Sequence, residues 1–139
     1  MKLLKTKICI AILGLASVAA QAEIAVVVHP SNASDIDSSA LSRIFLGKSK
    51  SFSSGDQAVP INQEESSSAT DEFNSKVLKK SGSQLKAYWS KLVFTGKGTP
   101  PKAVSNDAEV ISLVSTNPNL IGYVDAASVT GDVKVIAKF

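Results

Sequence analysis

A clear succession of strand, turn and helix signals lies in Val59-Pro60-Ile61-Asn62-Gln63-Glu64-Glu65-Ser66-Ser67-Ser68-Ala69-Thr70-Asp71-Glu72-Phe73. Its first three residues form a short apolar run, which predicts a β-strand. Ala69, Phe73 and Val77 then recur at four-residue steps, which is the spacing of an α-helix. Three serines separate the two elements. The stretch therefore predicts a strand, a tight turn and a helix, which together make up the repeating unit of an α/β fold.

A hydroxyl-rich turn that opens a helix is a candidate anion site. Backbone N–H groups, the positive end of the helix dipole and several O–H donors meet at one point there. One alternative is that a serine simply caps the helix, and four flanking carboxylates oppose an anion. The candidate ligand-binding residues of this turn are Ser66, Ser67, Ser68, Ala69 and Thr70.

The N-terminal residues have the pattern of a secretory signal peptide. Residues 1–7 are basic, residues 8–20 are apolar, and Ala20-Gln21-Ala22 matches an A-x-A cleavage site. The apolar run is too short to span a bilayer. We therefore expect a signal peptide at residues 1–22 and a single domain at residues 23–139. The expected product is periplasmic and spans no membrane after cleavage.

Charge and cysteine content narrow the functional classes. Three of the 15 Lys and Arg lie before residue 23, whereas all 12 Asp and Glu lie within residues 23–139, so this part of the chain carries twelve charges of each sign. This balance gives no indication of nucleic-acid binding. The single cysteine, Cys9, lies in the signal segment, and the remaining chain has one histidine. A transition-metal site, a Ser-His-Asp triad and a cofactor are therefore not expected, and we predict that the protein is not an enzyme.

Strand and helix patterns alternate along the chain. Ile24–Val28 is a continuous apolar run, which suits a strand buried on both faces. This alternation predicts a three-layer α/β sandwich around a mostly parallel sheet. The further strands are expected at residues 59–62, 120–124 and 133–136, and the helices around residues 38–46, 69–80, 84–94 and 107–116.

In parallel sheets, ligands bind beyond the carboxyl ends of the strands. The first strand ends at His29, and the second strand ends at the serine turn. We therefore expect His29, Ser31 and Asn32 to be further ligand contacts. The alternative for His29 is a polar residue that merely ends a strand.

One helix carries the only tryptophan. Leu85, Trp89 and Leu92 lie on one face of this predicted helix. We expect this face to pack on the sheet, with Trp89 largely buried against the strands at 26–28 and 121–124.

Several segments, taken together and in order, resemble a known family. The family is that of the periplasmic phosphate-binding proteins of ABC transporters, in short, single-domain form. The resemblance covers nearly all of residues 23–139. It is carried by Val27-Val28-His29-Pro30-Ser31-Asn32, Ile44-Phe45-Leu46-Gly47-Lys48, Val59 to Ser66, Ala87 to Gly98, Asn106-Asp107-Ala108-Glu109-Val110, and Ile121-Gly122-Tyr123-Val124.

The resemblance implies one lobe of a type II periplasmic binding protein, with phosphate or a related oxyanion as ligand and an ABC permease as partner. The family's anion site, a Ser/Gly/Thr turn that opens a helix, corresponds here to residues 66–70. This turn lacks the glycine and the arginine that are usual in the family. The chain is also too short for two lobes. Alternatives are therefore a homodimer that rebuilds a clamp, and an envelope interaction module that has lost its ligand.

Overall fold

The computed structural model describes residues 23–139, so the predicted signal peptide lies outside the described residues. Five strands form one sheet in the order β3-β2-β4-β1-β5. The strands are β1 (Ile24–Val28), β2 (Val59–Gln63), β3 (Lys102–Val104), β4 (Leu120–Asp125) and β5 (Lys134–Lys138). The helices are α1 (Ser38–Phe45), α2 (Ser68–Phe73), α3 (Gly82–Phe94) and α4 (Asp107–Thr116), and a π-helical turn (Asn74–Leu78) continues α2.

The sheet is mixed. β2 pairs in parallel with β3 and with β4, whereas β1 is antiparallel to both of its neighbours, β4 and β5. Four strands therefore run one way and β1 runs against them, so the expected mostly parallel sheet is confirmed only in part. The apolar run of β1 reflects its burial on both faces, and burial by itself does not fix strand direction.

Helices cover both faces of the sheet and give the expected three layers. Residues of β1 alternate between the two faces: Val26 contributes to the core below α1 and α2, and Val27 to the core below α4. The first core contains the aromatic rings of Phe45, Phe73 and Tyr123. The second is aliphatic and includes Val110 and Val114 of α4. The predicted α/β class and the layer arrangement are confirmed.

A glycine sets the distance between α4 and the sheet. A Cβ atom at Gly122 of β4 would lie 2.6 Å from Cγ1 of Val110. Real Cβ atoms do not approach that closely, so only glycine allows α4 to pack at this distance. Asn106 begins the helix by accepting a hydrogen bond from the backbone N–H of Glu109.

The packing of α3 differs from the prediction. Leu85 is the one buried residue of this helix, and Trp89 is only half-buried. Trp89 lies over two loop glycines instead of the sheet: a Cβ at Gly47 would be 3.1 Å from its ring, and one at Gly98 would be 3.7 Å away. The predicted burial of Trp89 against the sheet is therefore wrong. The helical spacing identified the inward face, but it could not show that α3 packs beside the sheet on loops.

Candidate functional site

The serine turn lies at the carboxyl end of β2, as predicted. β2 ends at Gln63, the chain turns through Glu64 to Ser67, and α2 begins at Ser68. Ser67 occupies the N-cap position with an extended backbone, but its side chain makes no capping hydrogen bond. The capping interpretation therefore fails for the Ser67 hydroxyl.

Two hydroxyl groups of the turn are used inside the protein. The Ser67 hydroxyl donates to Oε1 of Gln63 at 2.7 Å, and the Thr70 hydroxyl donates to the carbonyl oxygen of Glu64 at 2.9 Å. Thr70 and Ala69 are also buried. A hydroxyl proton that is already donated to a protein acceptor is not available to an anion. The structural role of Ser67 and Thr70 is to hold the turn closed.

The remaining donors of the turn face solvent. Ser66 and Ser68 are exposed. Of the first N–H groups of the helix, that of Thr70 donates to the carbonyl oxygen of Ser67 at 3.1 Å, which leaves those of Ser68 and Ala69 to an outside acceptor. These groups can orient a small oxyanion at the start of α2. The side chains of Glu64, Glu65 and Asp71 are exposed beside them and oppose a bare anion.

A buried polar network lies beneath the turn. The Tyr123 side chain is fully buried, and its hydroxyl oxygen contacts Oδ1 of Asn62, lies 3.2 Å from the Thr70 hydroxyl and accepts the N–H of Gln63 at 3.2 Å. Burial raises the pKa of the Tyr123 phenol above its ordinary value, because the charged form would be poorly solvated. The phenol therefore remains neutral and serves as a fixed hydrogen-bonding group.

Gln63 and Asp107 extend this network across the sheet. The Gln63 amide donates to Oδ1 of Asp107 at 2.7 Å and to the carbonyl oxygen of Tyr123 at 2.8 Å. The other carboxylate oxygen of Asp107 accepts from the Ser128 hydroxyl at 2.7 Å and from the N–H of Asp125 at 3.2 Å. Through these bonds Asp107 joins α4 to the carboxyl ends of β2 and β4.

The second predicted set of ligand contacts lies elsewhere. Because β1 is antiparallel, its end at Val28 pairs with Ile121 near the start of β4, while Ile24 pairs with Asp125. His29, Ser31 and Asn32 therefore lie at the edge of the sheet opposite the serine turn, and the structure does not bring the two sets together. At that edge the backbone N–H of Ser31 donates to Nδ1 of His29 at 3.1 Å, and Oδ1 of Asn32 accepts the N–H of Ser34 at 2.9 Å.

A groove of about 640 Å³ opens beside the serine turn, between α3 and the ends of β2 and β3. Its polar end is formed by Asn62, Gln63 and Thr70. Two of its side chains are strongly exposed, Val93 at 52% and Phe94 at 93%. The apolar wall of the groove consists of Leu85, Trp89, Val93, Phe94, Pro100 and Pro101.

Sequence reasoning missed four residues of this region. Gln63 and Asp107 are ordinary polar residues in sequence, and only the fold brings them within hydrogen-bonding distance. Tyr123 lies in an apolar strand pattern that indicates core and conceals a polar hydroxyl. Lys86 of α3 lines the groove and supplies a cation close to the turn. A lysine on a predicted helix gave no signal that distinguished it from the other surface lysines.

Two negative findings concern residues 23–139. This part of the chain has no helix that is both long and apolar enough to cross a membrane. Within the same residues, no group of three or more His, Cys, Asp or Glu side chains is placed to hold a metal ion.

Comparisons with known proteins identify structures that share this fold. No protein-family model matches the chain, and no curated protein matches its sequence. Solved structures do match. An ABC-type phosphate transport receptor from Vibrio cholerae is 20% identical with a TM-score of 0.64, over 83% of this chain and 46% of that one. A phosphate ABC transporter substrate-binding protein from Clostridium perfringens, solved with bound phosphate, is 20% identical with a TM-score of 0.65, over 83% and 45%.

PstS from Borrelia burgdorferi is 16% identical with a TM-score of 0.59, over 84% of this chain and 47% of that one. The chain thus spans less than half the length of the structures that it matches. These structures are of transport proteins, and the resemblance stated from the sequence is confirmed at the level of the fold. The chain has the α/β fold found in the phosphate-binding proteins of ABC transporters.

Proposed function

We propose that the chain is a periplasmic solute-binding protein, without enzymatic activity, that binds phosphate or a related oxyanion weakly at residues 66–70 and serves an ABC permease. The observation that carries the proposal is the exposed start of α2, with Ser66 and Ser68, at the carboxyl end of β2. The fold that the chain shares with phosphate-binding proteins of ABC transporters supports the same assignment. The signal-peptide pattern at residues 1–22 supports export.

The affinity is expected to be low for three reasons. The Ser67 and Thr70 hydroxyls are already donated inside the protein. Exposed carboxylates border the site, and solvent reaches it from one side. A site of this kind supports a dissociation constant of about 1 mM, corresponding to about 4 kcal/mol. Salt should weaken binding further, because charges at an exposed site are screened.

The test is a titration of residues 23–139 with phosphate and with sulfate, followed through the backbone amide resonances. At millimolar anion concentrations, we expect the resonances of residues 66–70 to shift and those near His29 to stay in place. Ser68→Ala should weaken the binding, whereas Ser112→Ala, at an exposed position on α4, is a control outside the turn. Absence of any shift at high phosphate would contradict the proposal. Micromolar affinity would show that another surface completes the site.

A second candidate function is an envelope interaction module, and the exposed apolar wall of the groove favours it. We infer that a second copy of the chain occupies the groove. A symmetric dimer needs a projection and a recess on the same face, and Phe94, at 93% exposed, stands at the edge of the groove. The same rim carries both charge signs, in Glu65 and Lys86, so two copies can pair acid with base.

Sedimentation of the purified domain tests this candidate. We expect a concentration-dependent dimer that Phe94→Asp abolishes. Ala87→Asp is the matched control, because Ala87 is exposed on the same helix and does not line the groove. A chain that stays monomeric at about 1 mM would overturn the dimer.

A further inference from the structure

A smaller cavity of about 350 Å³ lies between the serine turn and the start of α3. It adjoins the groove and shares five lining residues with it. Unlike the groove wall, its lining is almost entirely polar. The lining residues are Glu65, Thr70, Asp71, Asn74, Gly82, Ser83 and Lys86.

One end of this cavity can bind an oxyanion. Ser81 caps α3 by accepting the N–H of Gln84 at 3.2 Å, which leaves the N–H groups of Gly82 and Ser83 at the helix start. The Ser83 hydroxyl and the Lys86 ammonium line the same end. Since α3 has 13 residues, its dipole adds to the attraction for negative charge.

The other side of the cavity offers acceptors. The carboxylates of Glu65 and Asp71 line it, together with Asn74. Asn74 is only 7% exposed, and its Oδ1 is the one buried side-chain nitrogen or oxygen atom among residues 23–139 found without a hydrogen-bond partner. An unpaired buried acceptor is costly, and a ligand N–H group would satisfy it.

Side chains of opposite charge line this cavity. Among residues 23–139, no ion pair is seen between Lys86 and either Glu65 or Asp71. We propose that the cavity binds a small zwitterion that carries an oxyanion and a primary ammonium group. The oxyanion lies at the start of α3 near Lys86, and the ammonium donates to Glu65, Asp71 and Asn74. The inference rests on the proposed solute-binding function and names its class of solute.

This assignment gives the carboxylates around the turn a role in binding. Toward inorganic phosphate, these carboxylates exert only electrostatic repulsion. For a zwitterion the same side chains attract one end while Lys86 and the helix start attract the other. Each exposed charge pair contributes little binding free energy. We therefore expect the zwitterion to bind about fivefold more tightly than an anion that lacks the ammonium group.

The experiment compares phosphoethanolamine, ethyl phosphate and inorganic phosphate by amide-resonance titration of residues 23–139. Phosphoethanolamine should bind about fivefold more tightly than ethyl phosphate and should shift the Asn74 side-chain amide and the Gly82 and Ser83 N–H groups. Glu65→Gln should remove this preference, whereas Glu64→Gln, outside the cavity, should keep it. Lys86→Gln should weaken both organic ligands, and Lys91→Gln on the same helix should not.

The outcomes separate this inference from the proposed function. If all three ligands bind equally at residues 66–70, the zwitterion site is overturned and oxyanion binding stands. If phosphoethanolamine alone binds and shifts Asn74, the zwitterion site stands and phosphate is not the solute. If no ligand shifts any resonance, both are overturned.

Discussion

The rings of Phe73 and Tyr123 are stacked, with centroids 4.0 Å apart and planes only 4° from parallel. Phe73 ends α2 and Tyr123 lies in β4, so this stack fixes the helix that follows the serine turn to the middle of the sheet. Phe45 of α1 completes the aromatic cluster, with its centroid 4.6 Å from that of Phe73. The turn therefore rests on a close-packed aromatic base.

Tyr123 should make the fold sensitive to alkaline pH. Burial raises its pKa in the folded state, so the unfolded chain loses the phenol proton first, near pH 10. The Tyr123 contribution is thus fully present below about pH 10 and is lost as pH rises, by up to about 1.4 kcal/mol per pH unit. Tyr123→Phe should flatten this loss in urea unfolding measured at pH 9 to 11.

Tyr88→Phe is the matched control for that experiment. It also deletes a phenol, one that donates to the carbonyl oxygen of Leu46 at 2.7 Å, but it leaves Tyr123 in place. The alkaline loss should therefore persist in Tyr88→Phe. An unchanged slope in Tyr123→Phe would contradict the assignment.

Neighbouring serines of the turn should differ in their effect on stability. Ser67→Ala removes the donor to the buried Gln63 side chain and should lower the free energy of unfolding by about 1–2 kcal/mol. Ser68 is exposed, so Ser68→Ala should change it by less than about 0.5 kcal/mol. Chemical denaturation of the two variants gives the comparison. Equal losses would mean that the Ser67–Gln63 bond does not hold the turn.

Asp107 should be the most sensitive polar residue of the network. Asp107→Ala removes the acceptor of Gln63, Ser128 and the Asp125 N–H, and hydrogen bonds to a charged group contribute more than neutral ones. We expect a loss of about 2–3 kcal/mol in the free energy of unfolding. Asp132→Ala, at an exposed position, should cost less than about 0.5 kcal/mol. A small effect at Asp107 would show that α4 is held by its apolar contacts alone.

Trp89 should contribute less than a core aromatic residue. A fully buried tryptophan would cost about 3–5 kcal/mol on truncation to alanine. Because Trp89 is half-buried over Gly47 and Gly98, Trp89→Ala should cost about 1–2 kcal/mol. Phe73→Ala, at a fully buried ring, should reach the core value and calibrates the assay. A loss at Trp89 as large as that at Phe73 would restore the core assignment.

Most elements could be predicted from the sequence because their signals are local. Asp37 caps α1 by accepting the N–H of Ala40 at 2.7 Å. In α4, the helical spacing of the apolar residues identifies the side chains that the helix buries. β3 was missed because a three-residue strand whose first two residues are exposed has no apolar pattern. The direction of β1 could not be predicted either, since it depends on which strands lie beside it.

The candidate site was predictable only in part for the same reason. The serine turn follows from a strand, a turn signal and a helix that are adjacent in sequence. The pairing of Gln63 with Asp107 joins residues 44 positions apart, and no local pattern reports it. That His29 lies at the opposite end of the sheet from the turn could not be predicted, because it follows from the antiparallel direction of β1, and strand direction is a property of the completed sheet.

The reversed strand β1 also has a consequence for the order in which the chain can fold. Both neighbours of β1 are made later: β4 begins at Leu120 and β5 at Lys134, and the N–H of Ile24 donates to the carbonyl oxygen of Phe139. The first strand of the domain therefore stays unpaired until nearly all of residues 23–139 have been synthesised. Contacts this distant in sequence slow folding. Ribosome-bound chains that end before Leu120 would thus expose an apolar, unpaired strand, which is the state that chaperones bind.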